Sequence, residues 1–298
     1  MECIPNVSEG RSSAVIDSLA EPLDVSGRAA LLHVHPDVDH NRTVFTVVGD
    51  PETLLPALEE FYARAIELID MRSHRGVHPR IGVVDVCPFV PLPEHGSSME
   101  DCIELSRGLG QRLAERFDLP VFLYREAATQ PARRDLTAIR RGQFEGLKAK
   151  LALPEWQPDF GPCRPHRSAG ATVIGARGPL VACNVVLDCD DLAVAKEIAA
   201  RVRASSGGLP GIKAMGVRLA SRRLVQVSMN VEDPQASPLH VAVDQIRAAA
   251  CRRGVTVLET ELVGIAPLEV IMDAAGAYLQ INELGAGQVL ENAILARF

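Results

Sequence analysis

LVACNVVLDCDDLAVAKEIAARVRA, Leu180–Ala204, is followed by IKAMGVRL, Ile212–Leu219, and by LVQVSMNV, Leu224–Val231. The spacing of apolar residues reads as strand Leu180–Leu187, helix Asp191–Ala204, then two strands. A helix over Pro238–Cys251 and a strand over Thr256–Val263 complete the order β-α-β-β-α-β. Working toward the N-terminus, the same order appears: strand Glu2–Pro5, helix Ser13–Leu23, strands Ala30–His35 and Thr43–Val48, a helix over Pro51–Ile69, and strand Ile81–Val86. The Pro51–Ile69 helix opens on an acid-proline start and spaces Leu54, Leu58, Phe61, Ala65 and Leu68 at three- and four-residue intervals. Val44–Pro51 (VFTVVGDP) and Gln226–Pro234 (QVSMNVEDP) echo one another, each running a strand into an acid-proline helix start.

The first half carries additions. After a proline-rich connection at Pro88–Pro93 come a helix over Met99–Phe117, a strand over Val121–Tyr124 and helical material from Arg133 to Leu151. Leu153–Pro179 holds Pro154, Pro158, Pro162 and Pro165 with Gly161, Gly170, Gly175 and Gly178, a composition of turns. The predicted fold is therefore α/β (α+β) with two similar subdomains, residues 1–175 and 176–298. Each is a small mixed sheet with helices on its outer face, and a ligand-binding cleft is expected between the sheets.

Composition narrows the function. The chain has 298 residues, 47% hydrophobic and 23% charged, as packed globular proteins do. A net charge of -7 gives no field that would gather a nucleic acid or an anionic membrane. Arg133-Arg134, Arg140-Arg141 and Arg222-Arg223 read as solvated faces. No apolar run reaches the ~18 residues of a membrane span, and no charged-then-apolar leader opens the chain, so a cytoplasmic protein acting on small molecules is expected. Seven cysteines without a C-x-x-C pair read as reduced, mostly buried thiols.

Asp70–Pro88, DMRSHRGVHPRIGVVDVCP, gathers two histidines and three arginines at the entrance to a buried strand. His78 is held extended by Pro79, beside a permissive Gly76, and an imidazole can both take and return a proton at neutral pH. His74 and His78 have metal-ligand spacing, but Gly76 and Pro79 break the helix that pairing needs, and Arg75 fills the slot where a zincin carries its glutamate; no metal is expected. In His33–Arg42, HVHPDVDHNR, the histidines and Asp37 and Asp39 suit either zinc or manganese or a polar turn that binds substrate. Asn6, Ser8 and Glu9 lie where a strand enters a helix, which favours an anion.

Cys3–Gly10 (CIPNVSEG), Asn41–Val44 (NRTV), the run from Ile69-Asp70-Met71 through His78-Pro79-Arg80 to Asp85–Phe89, and Pro158–Pro162 (PDFGP) together closely resemble the glutamate formiminotransferase family. Gly110–Glu115, Gly170-Ala171-Thr172 with Gly175-Ala176-Arg177, and Leu262-Val263-Gly264 with Pro267-Leu268 extend the resemblance over nearly the whole chain. It implies transfer of the formimino group of N-formimino-L-glutamate to N5 of tetrahydrofolate, in histidine degradation, by a homodimer of two-subdomain chains that needs no metal. By the same matching, the catalytic residue is His78, supported by Arg80, Arg42, Asp39 and His35. The folate segment is Gly161-Pro162-Cys163-Arg164-Pro165-His166-Arg167-Ser168-Ala169-Gly170, in which Arg164 and Arg167 suit the carboxylates of a glutamyl tail. His35 stands where many relatives carry an aspartate. The chain is expected to hold the transferase module without the cyclodeaminase domain of the bifunctional animal form. Formyl transfer from N-formylglutamate, a metal-dependent amidohydrolase using His33–Arg42, and a non-catalytic folate-binding protein stand as alternatives.

Overall fold

The computed structural model describes residues 1–297, and the chain parts into two compact units, Met1–Pro179 and the stretch from Leu180 onward. The boundary expected after Gly175 falls inside a strand, β7 below, so the units separate a few residues later.

The first unit begins with β1 (Glu2–Cys3) and β2 (Asn6–Val7), one strand path interrupted at Pro5. A proline has no N–H for the ladder, yet its carbonyl still accepts from Phe45 N at 3.0 Å. Then follow α1 (Ser13–Ala20), β3 (Ala29–Asp37), β4 (Arg42–Gly49), α2 (Pro51–Leu68), β5 (Val84–Val90) and α3 (Met99–Phe117). β6 (Val121–Arg125), α4 (Leu136–Arg140), α5 (Gln143–Leu151) and β7 (Thr172–Ala176) complete the unit. The Ser98 hydroxyl and Asp101 carboxylate cap the start of α3 reciprocally.

The strands lie in the order β3-β4-(β1, β2)-β5-β7-β6. They are antiparallel as far as β5, and parallel from β5 through β7 to β6. Two corrections to the sequence reading follow. β5 starts three residues later than expected and runs through Pro88, whose carbonyl accepts from Ile4 N at 3.0 Å. The proline- and glycine-rich linker contains β7, a fully buried strand inserted between β5 and β6. Gly175 belongs there because an added Cβ would lie 2.3 Å from the Tyr124 carbonyl oxygen.

Alternation along the strands sorts two cores. Cys87, Phe89, Val121, Leu123 and Ile174 join Leu54, Leu58, Phe61, Leu105 and Leu109 under α2 and α3. Val86, Phe122, Tyr124 and Val173 face the other way and pack on Ile139, Leu147 and Leu151. Helices therefore cover both faces at the β5-β7-β6 end, not the outer face alone.

The second unit is β8 (Val181–Leu187), α6 (Leu192–Val202), β9 (Ile212–Leu219), β10 (Leu224–Val231), α7 (Leu239–Cys251) and β11 (Val257–Val263), followed by α8 (Leu268–Leu279) and α9 (Leu290–Leu295). Its sheet is antiparallel in the order β11-β8-β10-β9. In the order of their strands along the chain, both sheets run fourth-first-third-second, counting β1 and β2 as one, which is the arrangement of a duplicated split β-α-β unit. On the core face of β8 the Cys183 thiol serves as a small hydrophobe, in one cluster with Val185, Ile198, Val227 and Ile246.

Candidate active site

The loop between α2 and β5 is fixed by backbone turns, His74 N and Ser73 N both donating to the Asp70 carbonyl at 3.1 and 3.2 Å. It then passes under the β3–β4 turn so closely that a Cβ on Gly76 would sit 2.2 Å from the His40 carbonyl oxygen. Asn41, in the left-handed region at φ 48°, binds three segments there. Its Oδ1 accepts from Gly10 N at 3.0 Å, its Nδ2 donates to Arg75 O at 3.0 Å, and its own carbonyl faces His74 Nε2 at 3.0 Å.

A carbonyl can only accept, so the His74 proton is on Nε2. Its bare Nδ1 then receives Arg80 Nε at 3.2 Å. Burial, with the charge of Arg80, lowers the His74 pKa and keeps this ring neutral. Arg80 also donates to Gln143 Oε1 at 3.0 Å and to both Glu145 oxygens at 2.9 and 2.8 Å, so it clamps α5 to the loop.

His78 is half-buried, and its Nδ1 lies 2.8 Å from the Pro79 carbonyl. By the same reasoning Nδ1 carries the proton and Nε2 presents a lone pair. Burial first, then the charges of Arg42 and Arg140 and the neighbouring His40, hold the His78 pKa well below the ordinary histidine value. His78 is thus a neutral base at physiological pH. The His40 ring stands edge-on to it, centroids 5.9 Å apart, with His40 Nδ1 against the Asp37 carboxylate. Asp37 Oδ1 also accepts from Asp39 N and His40 N at 2.9 and 2.8 Å. Burial alone would raise the Asp37 pKa, but His40 and these amides bring it below the usual range.

Beneath His78 lies a charge cluster. Asp85, completely buried on β5, accepts from Arg42 Nη1 at 2.8 Å, from Arg140 Nη2, and through Oδ1 from Ile81 N at 2.9 Å. Burial opposes its ionisation, yet Arg140 and Arg42 hold its pKa below the usual carboxylate value. Asn6 Oδ1 takes Arg42 Nε and Nη2 at 3.1 and 2.9 Å. Burial lowers the Arg42 pKa to about 10, against the raising effect of Asp85, and Arg42 stays charged at neutral pH.

Of the residues predicted from sequence, the structure brings His78, Arg42 and Asn6 together. Arg80 is spent on α5 and His74. Ser8 Oγ donates to the Gly82 carbonyl at 2.8 Å, and Glu9 Oε1 accepts from Arg11 N and Ser12 N at 2.6 and 2.9 Å, so both fasten the approach to α1. His35 stacks on His33 along β3, centroids 5.9 Å apart. Arg140 and Asp85 were not predicted site residues, and His40, expected only as one of the histidines of the His33–Arg42 turn, stands against His78. Reading Arg140 and Arg133 as solvated is corrected: Arg140 rests on Asp85, and Arg133 is buried against Asp159 at 2.8 Å.

The segment Gly161–Gly170 closes against the His78 loop. Met71 N donates to Ser168 O at 2.9 Å and Val83 N to Ala169 O at 3.0 Å. Within it, His166 and Gly170 exchange backbone hydrogen bonds at 2.8 and 3.1 Å, and Ala169 N donates to His166 Nδ1 at 3.0 Å. Gly161 and Gly170 take left-handed φ of 84° and 75°. Pro162, Pro165 and Ser168 are half-buried, Cys163 and Arg167 are exposed, and Arg164 pairs with Asp118 at the surface. Among the described residues no group of three His, Cys, Asp or Glu is placed to hold a metal ion, and no helix is long and apolar enough to cross a membrane. A depression of about 560 Å³ in the second unit, lined in part by His240, Met272 and Asp273, contains none of the predicted residues.

The class that the structure defines is a duplicated split β-α-β protein with a neutral histidine in the field of a buried Asp85–Arg42–Arg140 cluster. Residues 1–177 match the model of the formiminotransferase domain, N-terminal subdomain, and residues 182–294 that of the formiminotransferase domain. The chain is 42% identical to the glutamate formimidoyltransferase of Streptococcus pyogenes serotype M1, over 99% of this chain and 98% of that one. It is 41% identical to the enzyme of the same name from Thermoplasma acidophilum, over 98% and 96%. The formimidoyltransferase-cyclodeaminase of Rattus norvegicus is 39% identical, and the match covers 95% of this chain but 53% of the rat protein. The chain belongs to the formiminotransferase family.

Proposed function

We propose that this protein is a glutamate formimidoyltransferase, moving the formimino group of N-formimino-L-glutamate to N5 of tetrahydrofolate, with tetrahydrofolate as co-substrate and His78 as the proton carrier. The names of its near full-length relatives support the reaction, and the observation that carries the residue assignment is the His78 tautomer. With Nδ1–H fixed on the Pro79 carbonyl, Nε2 is the atom available to a substrate.

In this reading N5 attacks the amidine carbon while His78 Nε2 takes the N5 proton. The tetrahedral adduct then breaks its bond to the glutamate nitrogen, which leaves with the proton returned by His78. The products are 5-formiminotetrahydrofolate and glutamate. An imidazolium beside Arg42 and Arg140 is a strong acid, which suits the return step. Folate is assigned to Gly161–Gly170 by the family resemblance; the two left-handed glycines pack on the Leu119 and Ile81 carbonyls and hold the half-exposed middle of the segment in place. Arg80, Asp39 and His35 act around this site as supports, Ser8 and Glu9 by shaping the approach to α1. We assign the protein to the cytoplasm as a homodimer; light scattering of the purified protein tests the latter.

The test is steady-state transfer from formiminoglutamate, with formylglutamate in parallel. His78→Ala should lower turnover by about 10²- to 10⁴-fold, the usual worth of a positioned acid-base group, while tetrahydrofolate binding persists. Unchanged turnover would remove His78 from the mechanism, and absent transfer from formiminoglutamate in the native protein would overturn the reaction.

A further inference from the structure

Three guanidiniums surround the His78 loop, and they differ in what they have left to offer. Arg80 gives Nε to His74 and both Nη groups to Glu145 and Gln143. Arg42 gives Nε and Nη2 to Asn6 and Nη1 to Asp85. Arg140 has one hydrogen-bond acceptor among the described residues, Asp85, reached through Nη2. Its Nε is buried without a partner, and 14% of its side chain remains exposed. A guanidinium has five N–H donors in a fork that matches a carboxylate, so most of this one is unspent.

The charges do not balance either. Arg42 and Arg140 share the single carboxylate of Asp85, which leaves one positive charge over in a buried place. The other groups that face it, His40 and His78, are an imidazole held by Asp37 and a neutral base, and the Tyr124 hydroxyl nearby is kept un-ionised by burial. Among the described residues no second carboxylate touches Arg42 or Arg140, the ionised Asp37 being engaged by His40 and backbone amides; an anionic ligand would complete the pairing.

We propose that Arg140 is the specificity-determining residue that anchors a carboxylate of the amino-acid donor beside His78. The proposal rests on the reaction assigned above and names the residue that reads the donor. A carboxylate paired with Arg140 cancels the surplus charge next to His78 and makes that imidazole a stronger base when the donor is present. The site would thereby take a proton from N5 more readily with donor bound than without it. Lys150 holds the anchor in place: its ammonium donates to the carbonyls of Ala138 and Ile139, both at 2.6 Å, at the end of α4, and lies 3.8 Å from the Trp156 ring centre.

The experiment pairs enzyme and substrate changes. Formiminoglutamate and its two monoamides, one at the α and one at the γ carboxylate, are assayed at saturating tetrahydrofolate with the native enzyme, Arg140→Gln and Arg140→Lys. A charge-assisted bond lost on one side should cost the native enzyme roughly 10- to 100-fold in kcat/KM for one of the amides. Arg140→Gln should lose a similar factor on the parent donor, mostly in KM, and then be indifferent to that amide. Arg140→Lys should fall between, and KM for tetrahydrofolate should stay within about threefold in both variants. Independent, multiplying losses would overturn the proposal, as would a change confined to the folate KM. Calorimetric binding of L-glutamate to the native protein and Arg140→Gln separates this from the reaction itself. If the native protein transfers nothing, the reaction assignment fails, while weaker glutamate binding by Arg140→Gln still supports the anchor and equal binding refutes it.

Discussion

Asp85→Asn is the substitution that probes the cluster most directly. Asparagine is close to isosteric and can still accept from Ile81 N, so the change removes charge and leaves shape. The native carboxylate has no solvent exposure and is the one anion shared by two guanidiniums, of which Arg42 is 9% and Arg140 14% exposed. Removing one partner of a buried ion pair typically costs about 3–5 kcal/mol, because the remaining charge stays desolvated. Here two cations would face one another, which places the expectation in that range despite the retained Ile81 bond. For a domain of this size each kcal/mol shifts the melting temperature by about 2–4 °C, so the expected fall is roughly 6–20 °C by calorimetry, with a matching loss in urea unfolding at pH 7. The acid arm has a defined sign. The Asp85 pKa is held below its ordinary value of 3.8, so its contribution is fully present above that value and is lost as pH falls through the lower folded pKa. The native protein should therefore converge on Asp85→Asn in acid. Asp85→Asn combined with Arg140→Met, which removes one stranded cation, should recover part of the loss. A penalty below about 1 kcal/mol, or a double variant less stable than the single one, would refute the claim that these charges are mutually dependent.

Other outcomes follow from the same geometry. His78 must be neutral to accept a proton and its pKa lies well below 6.5. The acid limb of kcat/KM should accordingly fall below pH 6.5, and Arg140→Gln, which removes a cation, should move that limb to higher pH; a native limb at or above about pH 7 would contradict the burial argument. Gly76→Ala would push a methyl into the His40 carbonyl, 2.2 Å away. It should lower stability by about 1–3 kcal/mol and turnover with it, which denaturation and the transfer assay would read. Cys163 and Cys251 are exposed, whereas Cys3, Cys87, Cys102 and Cys183 are buried, and burial lifts the Cys102 and Cys183 thiols to about 11 and 12. Native protein should alkylate first at Cys163 and Cys251, and bound tetrahydrofolate should protect Cys163 alone; equal protection of both would argue against folate on Gly161–Gly170.

Element type was legible wherever the apolar period was long. α2, α3, α6 and α7 and the hairpin strands β9 and β10 stand within a few residues of their expected places, because three- and four-residue spacing or alternation marks one buried face. β7 was illegible for a physical reason. Thr172–Ala176 is short, is buried on both faces and includes Gly175, so it has no alternation, and its glycine reads as a turn until the Tyr124 carbonyl is seen pressing against it. The late start of β5 has a related cause: Ile81 and Val83 are as buried as the strand that follows, so hydrophobicity does not mark where pairing begins.

The site divides along the same line between local and distant chemistry. His78 could be singled out because its restraints, Gly76 before it and Pro79 after it, are neighbours in sequence, and the Pro79 carbonyl that fixes its tautomer is one residue away. Asp85 and Arg140 lie 55 positions apart, and their meaning arises only when α4 packs on the β5-β7-β6 end of the sheet. One local sign did exist. Leu136, Ile139 and Arg140 share the helical stripe that turns inward, and an arginine on an apolar face has a buried acceptor or an unmet one. In this protein it has one of each, Asp85 at Nη2 and nothing at Nε. A cation kept partly unmatched inside a fold costs stability, and that cost is recovered only when something anionic arrives. The imbalance at Arg140 is therefore the structural ground for the proposed carboxylate anchor, and it is read from Asp85 and the unpartnered Nε rather than from a motif.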